Sequence, residues 1–274
     1  MDDIKKKIHE IAASPISEDE KLSQLMEAMA HLKPVDNAEA LTLVCTYGIA
    51  LAQKAGRPEV EAQCYMTRAK VTIMGKSIFA VREMKDIQMA PQWFQFALES
   101  EKKRYEELDT QYNKVLESVQ SDLNKGFEAI NKNKISGAVA FCLKTAGEIY
   151  GQHYLQLKLY LFDSKTPIHA KFANLYISRW LGIDDYFLLN KAGRTRLKQA
   201  KEDCLSSLYQ AKKIFEKLPH HDYLADVFLA LASEHSSFYN PLRTGFYLMR
   251  AEKLIIKYKI TELEGNLNLM KKKK

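Results

Sequence analysis

The stretch LYQAKKIFEKL, residues 208–218, returns forty residues later as LMRAEKLIIKY, residues 248–258. Leu208 and Leu248, Ala211 and Ala251, Lys213 and Lys253, and Lys217 and Lys257 are identical at one constant offset, and Ile214 matches Leu254 conservatively. Small and large apolar residues three and four apart share a helical face. A period of this length marks helix pairs that bury their faces by stacking on one another.

The rest of the chain agrees with a helical reading. Its 11 glycines and 7 prolines are few for 274 residues, and nearly all fall between long periodic segments, which favours helices over many short strands. Ile4, Ile8 and Ile11, then Leu22, Leu25, Met26, Met29 and Leu32 up to Pro34, read as an opening helical hairpin. Asp36 is expected to cap a helix to about Ala55. Gly56 and Pro58 separate it from the next, which runs to about Gly75, and residues 76–90 also read as helical.

No Gly or Pro occurs between Pro91 and about Asn124, so one unusually long helix is expected there. Asp122 falls where its apolar seam should continue, which argues against an independent coiled coil. Further helices are expected over 137–162, from Pro167 to Leu181, and over 194–217, 222–238 and 241–258. This is an all-α chain of about ten helices. It divides into an N-terminal hairpin (1–34), a helical-repeat body with the long helix (35–190), basic C-terminal repeats (191–270) and a solvated lysine tail (271–274), together one continuous α-solenoid.

Two hairpins carry a more specific pattern. Val44, Tyr47, Gly48 and Leu51 precede Ala62, Met66 and Ala69, and Phe228, Leu231, Ala232 and His235 precede Thr244, Leu248 and Ala251. Leu143, Ala146, Gly147 and Tyr150 repeat the first-helix half, but no matching second helix follows directly. This arrangement resembles the tetratricopeptide repeat over about half the chain. The resemblance implies stacked helix pairs whose small residues let axes approach, and a role in binding other proteins or peptides.

Catalytic signatures are sparse. MGKS, residues 74–77, ends like a phosphate-binding loop, but Lys70 stands where that loop needs glycine. Cys45, Cys64, Cys142 and Cys204 are far apart in apolar patterns and read as buried, reduced thiols. His220, His221 and Asp222 admit a metal-dependent hydrolase if His169 or His235 converges on them, although Asp222 also reads as an ordinary helix cap. The leading expectation is a non-enzymatic chain without a cofactor. The amino terminus MDDIKKKIHE lacks the apolar run of a signal peptide, so a cytoplasmic location with no membrane span is expected.

Binding residues are sought in two features. Aromatic residues crowd positions 141–187, and Tyr150, Tyr154, Tyr176 and Trp180 are candidates to line a groove. The net charge of +7 sits in the last third: residues 191–274 carry 17 Lys/Arg against 9 Asp/Glu, leaving 24 against 25 before them. Lys213, Lys217, Arg250, Lys253 and Lys257 are candidates for a basic stripe. The expected function is that of an adaptor or sensor binding a protein or peptide, with an acidic partner favoured by the basic stripe and nucleic acid as the alternative partner. The partner itself and the oligomeric state are left open by the sequence.

Overall fold

The computed structural model describes residues 2–34, 36–87, 96–130, 136–161 and 191–272. They form ten α-helices and no strand: α1 (Asp2–Ala13), α2 (Glu18–His31), α3 (Ala38–Lys54), α4 (Pro58–Ile87), α5 (Phe96–Ala129), α6 (Gly137–Leu161), α7 (Lys191–Phe215), α8 (His221–Ser237), α9 (Pro241–Tyr258) and α10 (Glu264–Lys272). A 3-10 turn, Thr261–Leu263, leads into α10. The helix expected over 167–181 lies outside the described residues.

Local chemistry sets most boundaries. Ser17 opens α2 with a capping box: its hydroxyl accepts from the Glu20 amide, and the Glu20 carboxylate accepts from the Ser17 amide. Gly56, at φ 62°, turns the chain after α3, and Pro58 starts α4 where its missing N–H costs nothing. The cap expected at Asp36 falls one residue later, at Asn37, whose side chain makes no capping bond. Asn240 caps α9 by accepting from the Arg243 amide.

The helices bury three contiguous cores. Ile8, Leu25, Leu41, Val44 and Cys45 fill the first, with Cys64 of α4 closing it. Met66 and Ile73 of α4, Val119 and Leu123 of α5, and Cys142 and Ile149 of α6 form the second. The third joins Ala140 of α6, Leu208 and Phe215 of α7, Phe228 and Leu231 of α8 and Leu248 and Ile255 of α9. Leu143 and Tyr150 of α6 touch both of the last two cores. α6 is thereby the joint of the molecule.

The helices pack most extensively as α6 with α7, α4 with α5, α8 with α9, and α3 with α4. The second helix missing after Tyr150 is therefore α7, placed far along the chain. It carries Cys204, Leu208 and Ala211 at the spacing of Ala62, Met66 and Ala69 in α4 and of Thr244, Leu248 and Ala251 in α9, and all nine are buried. A Cβ on Gly48 would lie 2.7 Å from the Cys64 sulfur, and one on Gly147 would lie 2.6 Å from Leu208. Both glycines are required by close approach of their paired helices.

The two longest helices pack on each other. α4 has 30 residues and α5 has 34. Asp122 breaks the apolar seam of α5 because it is buried against Arg68 of α4, whose guanidinium donates to both carboxylate oxygens at 2.7 and 2.8 Å. MGKS lies inside α4 and forms no loop. Of the expected solvated tail, Lys271 and Lys272 are exposed and helical, and Lys273 and Lys274 lie outside the described residues. α10 continues through Lys272, buries Leu267 and brings the Lys271 ammonium to Glu252 of α9.

Candidate partner-binding surface

α9 has two apolar faces. One is the buried set Tyr247, Leu248, Ala251 and Ile255. The other looks outward: Leu242 is 86% exposed, Ile256 69%, Met249 61% and Phe246 45%. At 100° per residue, Leu242, Phe246, Met249, Lys253 and Ile256 fall within about 80° of arc, a narrow stripe along one line of the helix. Arg250 and Lys257 follow one edge of it.

The basic residues expected to bind a partner are all exposed. Among the described residues Lys213, Lys217, Arg250, Lys253 and Lys257 form no ion pair. Arg250 is ordered by aromatic rings instead, its guanidinium carbon lying 5.1 Å from the centre of Phe228 and 5.6 Å from that of Phe246. The Lys257 ammonium stands 4.9 Å from the Tyr258 ring. One equivalence fails: Lys257 is in the last turn of α9, whereas α7 ends at Phe215, so Lys217 lies in the following turn and does not share a helical face with Lys213.

The aromatic candidates divide differently. Tyr150 is half-buried between two cores, and Tyr154 packs edge-on against Phe238 with ring centres 4.6 Å apart. Burial raises both phenols above their ordinary pKa. Neither stands out as an exposed anchor. Tyr176 and Trp180 lie outside the described residues.

Tyr150 also lines a cleft of about 390 Å³ among α4, α5, α6 and α7, together with Ile73, Leu116, Leu123, His153, Arg196 and Asp203. The Tyr112 hydroxyl and His153 Nδ1 share a hydrogen bond of 2.6 Å with the rings stacked. Burial, assisted by the Arg196 charge, pushes His153 down to about 4. A neutral imidazole therefore sits in this cleft at neutral pH.

A charged chain links the pairs on another side. Lys144 reaches Glu148 at 2.9 Å and also Asp226 of α8 at 2.5 Å, while Lys70 of α4 reaches Glu148 at 2.7 Å. Burial opposes ionisation of Glu148, but Lys144 and Lys70 outweigh it and hold the carboxyl at about 2. This network ties α4, α6 and α8 together.

The histidines do not gather. His220 precedes α8 and packs edge-on against Tyr223, and His221 stacks on Tyr258 with centres 3.8 Å apart. Asp222 is not the helix cap but lies within the first turn. His235 is buried, shares a 3.0 Å hydrogen bond with the Tyr209 hydroxyl and stacks on Tyr247. No group of three His, Cys, Asp or Glu suited to a metal ion occurs among the described residues, and His169 lies outside them. Cys45, Cys64, Cys142 and Cys204 are buried and unpaired by disulfides, and burial raises every thiol. No described helix is long and apolar enough to cross a membrane.

The outward stripe of α9 was not singled out by the sequence reading, yet the forty-residue offset contains its signal. Leu242 and Phe246 stand where α7 has Glu202 and Ser206, and Ile256 corresponds to Glu216 directly after α7. Protein-family models, curated proteins and solved structures were all compared with the chain, and none matches it.

Proposed function

We propose that this chain is a non-enzymatic helical-repeat scaffold that binds a protein or peptide, acting as an adaptor or as the sensing part of a regulator. The observation carrying this reading is the shared register of α4, α7 and α9, each with buried small, large and small residues at equal spacing and each paired with a preceding first-helix pattern. Repeated pairs of this kind build an extended rigid surface on which a partner docks without reorganising the scaffold. The unpaired cations at Lys213, Lys217, Arg250, Lys253 and Lys257 favour an acidic partner and raise its rate of encounter.

The test is capture on the immobilised chain, followed by mass spectrometry and titration of the purified candidate. A polypeptide that binds saturably at physiological salt supports the scaffold reading. A chain that captures no polypeptide but shifts nucleic acid in a salt-dependent mobility assay overturns it.

A further inference from the structure

We infer that the outward stripe of α9 is a docking site for an acidic amphipathic helix. The inference rests on the scaffold reading and names both the surface and the chemistry of its occupant.

The stripe is not merely the unfinished edge of a stack. The positions of α9 up to Ile255 have counterparts forty residues earlier on α7, which already has the next helix pair against it, and Ile256 corresponds to Glu216 directly after α7. That pair covers Tyr209, the counterpart of Met249: Tyr247 lies 6.4 Å away between ring centres, and the Arg243 guanidinium donates to the Tyr209 hydroxyl at 2.8 Å. Glu202 and Ser206 on α7, and Glu216 directly after it, nevertheless remain exposed. Stacking a further pair therefore accounts for Met249 and leaves Leu242, Phe246 and Ile256 in water. Where the repeat needs polar residues, α9 has large apolar ones.

Charge selects the occupant. Lys253 falls on the midline of the stripe between Met249 and Ile256, with Arg250 and Lys257 along one edge. The opposite flank holds Glu252, whose carboxylate is already engaged by Lys271 of α10. The face thus offers apolar contacts and uncompensated positive charge. A bilayer is a poor match, because an interfacial helix needs a broader apolar face and keeps its lysines off the midline. A second copy meeting face to face would set Arg250, Lys253 and Lys257 against themselves. A helix with apolar residues at i, i+4 and i+7 and a carboxylate opposite Lys253 satisfies both features. From Leu242 to Ile256 the stripe runs about 21 Å, matching four turns of such a helix.

The test uses a displayed library of random peptides about sixteen residues long, selected against the full chain at physiological salt. Enriched sequences are expected to be rich in Asp and Glu with helical apolar spacing. Their affinity should fall by about tenfold or more for Lys253→Glu, and likewise for the triple variant Leu242→Ser, Phe246→Ser, Ile256→Ser. Polar residues already occupy the triple variant's counterpart positions on and directly after α7, and an unchanged circular-dichroism melt verifies its fold. Lys253→Glu alone decides the matter if the triple variant melts early. The inference is overturned if the enriched peptides are neutral or basic, if none is enriched, or if they bind both variants as tightly as wild type. Stripe-dependent binding to phosphatidylserine vesicles without acidic-peptide enrichment, or concentration-dependent dimerisation abolished by the triple variant, also overturns it. A captured partner that binds both variants normally would sink the stripe while leaving the scaffold reading intact.

Discussion

Gly151 of α6 lies directly against the carboxyl group of Glu234 of α8, so close that a Cβ at residue 151 would collide with it. Glu234 is buried, and its Oε2 has no hydrogen-bond partner among the described residues. Burial, then the negative charge of Glu148, pushes this carboxyl from its ordinary 4.5 up to about 7. The folded protein holds a proton there that the unfolded chain releases. Its stabilising contribution is therefore complete below about 4.5 and is lost as pH rises through about 7. Glu234→Gln keeps the shape without the ionisation, so it should stabilise the fold at pH 8 by up to about 3 kcal/mol and much less at pH 5. Urea unfolding at the two pH values checks this, and an equal change at both would contradict it.

His153 and His235 work in the opposite direction. Burial lowers both from 6.5 to about 4, helped by Arg196 at His153 and by Arg243 and Lys201 at His235. The folded state keeps them neutral where the unfolded chain takes up protons, so their contribution is present above about 6.5 and is lost as pH falls through about 4. NMR should show both imidazoles still neutral at pH 5.5. Protonation of either near its ordinary value would refute the burial argument for that residue.

The packing of α5 against α4 should depend on Arg68 and Asp122. Asp122→Ala leaves a partly buried guanidinium unpaired and should cost about 2–4 kcal/mol. The double replacement Arg68→Met, Asp122→Leu removes both charges and restores an apolar seam, so it should recover most of that loss. A double replacement as unstable as the sum of its parts would mean the pair contributes nothing as a unit.

What the sequence disclosed follows from how local each signal is. The limits of α9 were readable because Asn240 and Pro241 mark its start, and the forty-residue offset fixed its buried face. The far end of α5 was not: the helix runs on through Gly126, which packs closely against Met66 of α4, a contact between segments sixty residues apart. The helical start of the lysine tail was hidden for the same reason, since Glu252, which holds Lys271, has no proximity in sequence. Likewise the mate of α6 was hidden by the residues between Leu161 and Lys191. At the candidate site, charge was legible and exposure was not: the basic residues were found, whereas Leu242, Phe246, Met249 and Ile256 look like core until the opposite face is seen to be buried.

Ala211 and Ala251 occupy equivalent, fully buried positions in successive pairs. Leucine at either should overpack the crossing and cost about 1–3 kcal/mol, with similar values for the two. Calorimetric melting of each variant measures this. A loss at one and none at the other would show that the two crossings are not packed alike.

The basic residues separate two versions of the binding surface. Lys213 and Lys217 belong to the end of α7 and its turn, whereas Lys253 and Lys257 lie on and beside the apolar stripe of α9. All four are exposed, so charge reversal should leave the melting temperature within a few degrees. For a partner found by capture, Lys253→Glu with Lys257→Glu should weaken binding by about tenfold or more at low ionic strength, and by less at high salt, where screening already suppresses the attraction. Lys213→Glu with Lys217→Glu should lower only the association rate, because charges at the rim steer an encounter without being desolvated. Equal effects of the two pairs on the dissociation rate would mean the partner spans both helices, moving the interface from the face of α9 to the groove between successive pairs.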